Sequence, residues 1–254
     1  MDFIISASTD IGIKKKVNQD SIFAQKYGIG DRNAVFAIIC DGVSGMNHGE
    51  EASSAVVKGF SDWACAELPI LLKNPIEDYV IRKQWSALIE EKNSEIYRKG
   101  VLNSYSSGTT ATAILLTAER YFLLHVGDTR AYELYEGIRQ LTDDHTVAAE
   151  EIRLGNITPE QTKNLPMESM LTRCVGAVPD IRADFFFGNT KSGAVYMLCS
   201  DGFRKRVSEG EICEMVMSGR GSGKKMTECE KYLIELNKAR GEEDNISVIV
   251  VEAF

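Results

Sequence analysis

Phe36-Ala37-Ile38-Ile39-Cys40-Asp41-Gly42 is the stretch on which the fold of this chain turns. Five apolar residues, two of them β-branched, are too few for a helix, and they stop at a turn signal. They read as a buried strand. Two other apolar runs stop the same way. Val195-Tyr196-Met197-Leu198-Cys199 leads into Ser200-Asp201-Gly202, and Phe122-Leu123-Leu124-His125-Val126 leads into Gly127-Asp128. A fourth carboxylate, Asp244, stands just before the apolar run Ile246–Val251. A single Asp-Gly at a strand end is a turn. Repeated at several buried strands, it points to carboxylates lifted to one rim of a sheet. Carboxylates gathered in low dielectric repel unless a cation neutralises them. An oxygen-only donor set suits hard ions, Mg²⁺ or Mn²⁺, and a glycine lets its backbone carbonyl approach such an ion.

Outward from these strands, further β-rich runs cover residues 2–8, 21–27, 34–40, 109–117, 120–126, 130–136, 183–187, 194–199 and 245–252. Some alternate and some are apolar throughout, a mixture that fits two stacked sheets, each with one face covered. Four stretches have helical spacing. Residues 50–67 place Ala52, Ala55, Val56 and Phe60 on one face. Residues 75–98, opened by Asn74-Pro75, carry a stripe of Ile81, Trp85, Leu88, Ile89 and Ile96. Residues 209–217 form a third. Residues 225–240 turn Met226, Tyr232, Leu233 and Leu236 inward, with Gly241 as the stop. Strands, two helices, strands, two helices and a last strand make an α+β order. Residues 218–224 are the one flexible-looking segment. Residues 147–170 lack a clear period and read as a surface excursion holding a short helix.

Composition narrows the classes. Of 254 residues, 44% are hydrophobic and 26% charged, with only 5 prolines, which excludes disordered and collagen-like chains. The net charge of −8 disfavours a general nucleic-acid binder, which needs a basic face. No apolar run approaches the ~20 residues of a membrane span. Met1-Asp2-Phe3-Ile4-Ile5 lacks the basic flank of a signal peptide and reads as a strand, so a cytoplasmic protein is expected. The six cysteines form no paired motif and are expected to be buried reduced thiols. His48, His125 and His145 match no zinc spacing. The run Lys14-Lys15-Lys16 is a solvated face by default. Beside a carboxylate–cation cluster it could also hold an anionic group such as phosphate.

Eight segments in order carry a resemblance. Gly12–Asp20 (GIKKKVNQD), Asp41–Ser53 (DGVSGMNHGEEAS), Ser107-Gly108-Thr109-Thr110, Val126–Tyr132 (VGDTRAY), Leu141–His145 (LTDDH), Leu171–Gly176 (LTRCVG), Cys199–Phe203 (CSDGF) and Asp244–Ser247 (DNIS) span about residue 6 to about residue 252. Together they resemble the metal-dependent protein phosphatases of the type-2C serine/threonine class in their bacterial form. The resemblance implies one catalytic domain, residues 1–254. Its fold would be two stacked, mostly antiparallel sheets flanked by helix pairs, with a flap at about 147–170. It implies two core Mn²⁺ or Mg²⁺ ions and a weaker third. Asp41 would bridge the core pair, Asp201 and Asp244 would complete one ion, and the Gly42 carbonyl would bind the other. Asp128 with Asp201 would hold the third, and Asp20 would act at the second through water. The nucleophile would be a metal-bridging water, with no side chain attacking. Substrates would be phosphoserine and phosphothreonine proteins. A Ser/Thr kinase would be the counterpart, and the protein would be a monomer with neither nucleic-acid nor membrane partners.

Several positions depart from the family pattern. The phosphate-gripping arginine falls on Lys15, a point charge that cannot grip bidentately. The opening-motif glutamate of animal members is Gln19, their histidine falls on Val43, and the second glycine of the DGxGG block is Ser44. His48 is a candidate replacement acid, although a loop histidine is more often merely solvated. These departures keep open a non-catalytic module that binds phosphoproteins through the same fold. A haloacid-dehalogenase-type phosphatase needs a DxD nucleophile motif, which Asp41-Gly42-Val43 does not supply.

Overall fold

The computed structural model describes residues 1–162 and 165–254. Its strands are β1 (Phe3–Asp10), β2 (Asp20–Ile29), β3 (Arg32–Asp41), β4 (Ala111–Thr117), β5 (Arg120–Val126), β6 (Arg130–Leu134), β7 (Ile138–Gln140), β8 (Asp184–Asn189), β9 (Val195–Cys199) and β10 (Ile246–Ala253). Between them lie helices α1 (Gly49–Leu71), α2 (Asp78–Asn103), α3 (Val147–Arg153), α4 (Pro159–Thr162), α5 (Asp201–Arg204), α6 (Glu209–Ser218) and α7 (Gly223–Ala239). One sheet runs β1-β10-β9-β6-β7 and the other β2-β3-β4-β5-β8. Every named strand pair is antiparallel.

The two-sided burial of the central strands explains their continuous apolar runs. In β3, Val35, Ala37 and Ile39 face the other sheet, while Ala34, Phe36, Ile38 and Cys40 face α1 and α2. In β10, Ile249, Val251 and Ala253 join the inter-sheet core, and Ile246, Val248 and Val250 pack under α6 and α7. Side chains alternate across a strand, so a layer with a sheet on one side and helices on the other must be apolar at every position. Trp85 anchors the α1–α2 side, edge-on to Phe36 at 5.9 Å and to Trp63 at 5.5 Å. The two stacked sheets flanked by helices are the architecture expected.

Several boundaries differ from expectation. α2 starts at Asp78, with Glu77 as its N-cap, so Asn74-Pro75 belongs to the preceding loop. α1 runs past residue 67 because Pro69 sits in its last turn, where it leaves the helix unbroken. Tyr232 points outward, 54% exposed, and Ile234 takes the inward place. Thr109 and Thr110 precede β4, where Thr109 makes isolated bridges to Gly42 and Val175. All six cysteines are free, yet Cys65 is exposed rather than buried. Residues 218–224 are pinned: Glu252 accepts the Gly221 N–H at 2.6 Å and pairs with Arg220 at 3.1 Å, and Ser222 caps α7. The excursion at 147–170 holds α3, α4 and a 3-10 turn at Pro166–Glu168; its Lys163 and Asn164 lie outside the described residues.

Candidate metal centre

Antiparallel pairing brings the strand-end carboxylates to one rim. In the β2–β3 register Asp20 lies directly opposite Asp41. β10 enters its sheet where β9 leaves it, with Val248 opposite Cys199, so Asp244 and Asp201 meet at the same end. β5 ends beside the start of β4, Val126 opposite Ala111, which carries Asp128 to that end as well. Asp41, Asp128, Asp201 and Asp244 line one cavity of about 150 Å³, together with Val43, Ser44, Thr110, Ser169, Leu171 and Lys205. Asp20 is buried against the same cluster, close enough to feel the charges of Asp201 and Asp244.

The backbone around Asp41 is fixed from several sides. Its N–H donates to Thr110 Oγ1 at 2.9 Å, and its carbonyl accepts from Thr110 N at 2.8 Å and from Thr109 Oγ1 at 2.9 Å. Gly42 abuts Gly49 so closely that a Cβ on Gly42 would lie 2.6 Å from the Gly49 carbonyl, which only a glycine permits. Gly12, at φ +77°, lies against the Asp244 carbonyl and lets the lysine loop fold over the rim. Asn245 fastens that loop: its Oδ1 accepts the Gln19 N–H at 2.9 Å and its Nδ2 donates to the Ile11 carbonyl at 2.9 Å.

Behind Asp128 stands a second set of bonds. His145 Nδ1 accepts the Gly127 N–H at 3.1 Å, so the ring proton sits on Nε2, which donates to Asp184 at 3.0 Å; Asp184 also pairs with Arg173 at 3.0 Å. Asp144 grips Arg130 through two bonds of 2.8 Å, and the Arg204 guanidinium donates to the Asp128 carbonyl at 3.0 Å. The motifs at 126–132 and 141–145 thus brace the Asp128 loop.

The electrostatics are those of like charges gathered out of water. Burial, reinforced by Asp20 and Asp201, drives the Asp41 carboxyl well above the usual range. Burial pushes Asp20 up to about 7; the hydroxyls of Ser247 and Ser200 are close enough to soften this but bond neither oxygen, and the Asp201 charge adds to it. Asp128 also rises to about 7, from burial and then from Asp201, against the pull of Arg204. Asp201 goes the other way: burial would raise it, but Lys205 and then Arg204 hold it below the ordinary value.

Hard-cation chemistry fits these residues. Both Asp20 carboxylate oxygens and Asp201 Oδ1 are buried without a hydrogen-bond partner, a costly state that an ion would relieve. All side-chain donors at the rim are oxygens apart from the ammonium groups of Lys15 and Lys205. Lys15 Nζ bridges Asp244 Oδ1 at 2.9 Å and Ser44 Oγ at 2.6 Å, and Lys205 Nζ contacts Asp201 Oδ2. With these ammoniums seated among them, no three rim aspartates bring their ligand atoms all within 4.8 Å of one another. Among the described residues only His48, Glu50 and Glu51 do so. That trio lies elsewhere. His48 packs against Tyr105 with the rings tilted by 43° and pairs with Glu51 at 3.2 Å, Glu51 also contacts Lys99, and none of the three lines the rim cavity.

Lys205, Arg204 and Asn245 escaped the sequence analysis. For Lys205 a signal existed, because it follows Asp201 by four residues, one helical turn. Asp201–Arg204 read as a turn rather than as helix α5, so the spacing carried no meaning.

Residues 13–229 match the protein phosphatase 2C family. The chain is 32% identical over 251 residues to the serine/threonine phosphatase stp of Listeria monocytogenes, covering 96% of this chain and 93% of that one. Among solved structures, the S. agalactiae serine/threonine phosphatase superposes with a TM-score of 0.85 at 27% identity, over 100% of both chains. The catalytic domain of the phosphatase PstP, solved in complex with two manganese ions, superposes at 0.78 with 26% identity, over 98% of this chain and 97% of that one. This chain, with its antiparallel sandwich and acidic rim, belongs to the protein phosphatase 2C family.

Proposed function

We propose that the chain is a Mn²⁺- or Mg²⁺-dependent protein phosphatase that hydrolyses phosphoserine and phosphothreonine. The observation that carries this is the convergence of Asp41, Asp128, Asp201 and Asp244 on one cavity over Asp20, whose two oxygens have no partner. Asp41, Asp201, Asp244 and the Gly42 carbonyl would hold the core ions, with Asp20 acting through water. Bound there, divalent cations would supply Lewis acidity toward the phosphoryl group and lower the pKa of a coordinated water.

The chain's own residues do the rest. Lys15, on its loop at the cavity edge, is placed to exchange Asp244 and Ser44 for a phosphoryl oxygen. The five carboxylates provide the negative charge that keeps cations in place, and the Gly42–Gly49 contact fixes the Asp41–Gly42 corner. Among the described residues lining the cavity, Ser44 bonds the Lys15 ammonium rather than a base, and there is no Cys or His, which fits direct attack by water. Ser169 brings the end of the 147–170 segment to the cavity wall, which supports assigning that segment as a flap within a single catalytic domain. We assign phosphoproteins as substrates, a Ser/Thr kinase as the opposing activity, a monomeric state and the cytoplasm as location. Six unpaired cysteines fit a reducing compartment.

The test is phosphate release from a phosphothreonine peptide with Mn²⁺. Chelator should abolish it, and Asp41→Asn or Asp201→Asn should lower it by orders of magnitude; full activity in either variant refutes the site assignment. Lys15, Gln19 and Val43 favour a second reading, a phosphoprotein-binding module without turnover. Tight Mn²⁺ binding with no phosphate release would select it.

A further inference from the structure

Lys205 is an unusual neighbour for a cation site. It follows Asp201 by one helical turn, its ammonium lies against Asp201 Oδ2, and it lines the rim cavity with Asp128 and Asp201. Its charge reaches Asp128 as well. The Asp201 side chain is only 10% exposed, so its carboxylate is largely shielded from water and a cation beside it acts strongly, although Lys205 itself is one-third exposed. Arg204 cannot substitute for it, because its guanidinium is committed to the Asp128 carbonyl and to Asp144. Asp128 and Asp201 are the pair expected to hold a third ion.

We propose that Lys205 is a built-in third cation: its ammonium occupies Asp201 Oδ2 in the cavity that Asp128 also lines, so this phosphatase works with two divalent ions instead of three. This rests on the reading of the rim as a divalent-cation centre. With the ammonium on it, Asp201 offers a divalent ion little free charge, which leaves Asp128 alone to attract one, and an ion approaching Asp201 Oδ2 would meet a like charge. The remaining donors, Asp41, Asp244, Asp20 and the free Oδ1 of Asp201, are left for the core pair. A third ion could enter only by swinging Lys205 away, and Glu242 is the acidic group near enough to receive it.

The test counts Mn²⁺ on the full chain by equilibrium dialysis with elemental analysis at millimolar Mn²⁺, alongside anomalous diffraction from Mn²⁺-soaked wild-type crystals. Two ions per wild-type chain are expected. Lys205→Asn and the length-matched Lys205→Met should each gain a third, bound at least ten-fold more tightly than any third ion in the wild type. In the wild-type crystal the ammonium should remain on Asp201 with no anomalous peak between Asp201 and Asp128. Three ions in the wild type, a peak at that position, or two ions in folded variants overturn the inference while leaving the core centre intact. No bound ion at all in the wild type removes the centre and the inference together. Should the variants fail to fold, the wild-type anomalous map decides alone.

Discussion

Replacing Asp20 by asparagine should do two opposite things. Asp20 is buried opposite Asp41, neither of its oxygens has a hydrogen-bond partner, and its carboxyl is raised from an ordinary 3.8 to about 7. A group whose folded pKa lies above its unfolded one holds its proton more tightly in the folded state. The metal-free protein therefore loses stability as pH rises from about 4 to about 7. Raising that carboxyl from 3.8 to about 7 costs about 4 kcal/mol once the carboxylate is charged in both states. In chelator at pH 8, Asp20→Asn should be more stable than wild type by about 3–4 kcal/mol, and the gain should shrink to about 1 kcal/mol near pH 4.5. With saturating Mn²⁺ the order should close up or reverse, because the wild type gains binding energy that the amide cannot supply. Urea denaturation at both pH values, with chelator and with Mn²⁺, reads all four conditions. A variant less stable than wild type in chelator at pH 8, or one stabilised by Mn²⁺ as much as wild type, would refute the idea that the rim is strained by its own buried like charges.

Three further outcomes are expected. Lys15→Arg should lower KM for a phosphopeptide about five-fold, since a guanidinium grips two phosphoryl oxygens where an ammonium grips one; steady-state kinetics showing an unchanged KM would remove Lys15 from phosphate binding. Asn245→Ala strips the bonds that tie the Gln19 and Ile11 backbone to the rim and should cost about 1–3 kcal/mol by thermal or urea unfolding. His125 is buried and neutral, lowered from 6.5 to about 3 by burial and then by His145, with Asp143 accepting its Nε2 proton. Its contribution is complete above pH 6.5 and fades as pH falls toward 3, amounting to up to about 5 kcal/mol. In His125→Gln that part of the acid slope in urea midpoints should vanish, and an unchanged slope would contradict the assignment.

The legible parts of this chain were those where one physical requirement dominates. β3 and β10 must be apolar at every position because both faces are covered, so Phe36–Cys40 and Ile246–Val251 were readable as buried strands that end at carboxylates. Asp41, Asp201, Asp244 and Asp128 were legible for the same reason, since a charge is tolerated only where such a strand reaches a rim. Elements decided by a few local bonds were not. β7 is three residues long and gains its place by pairing with β6. α2 starts at Asp78 after an N-cap, Glu77, that makes no side-chain capping bond, although the nearby Asn-Pro is the stronger start signal. Tyr232 carries an aromatic ring to the surface of α7 while Glu230, one turn from Met226, is buried by the hydroxyls of Ser6 and Ser8. The bracing of Asp128 by His145 and Asp144 depends on side chains meeting across loops, which spacing does not reveal. Lys205 matters only once Asp201 is known to begin a helical turn.

Anomalous diffraction from crystals of the full chain grown with Mn²⁺ tests the central claim most directly. Peaks should lie at the rim, with the Asp41 carboxylate shared between two ions, Asp201 and Asp244 on one of them and the Gly42 carbonyl on the other. A map with no density at the rim, or with manganese bound only at His48, Glu50 and Glu51, would contradict it.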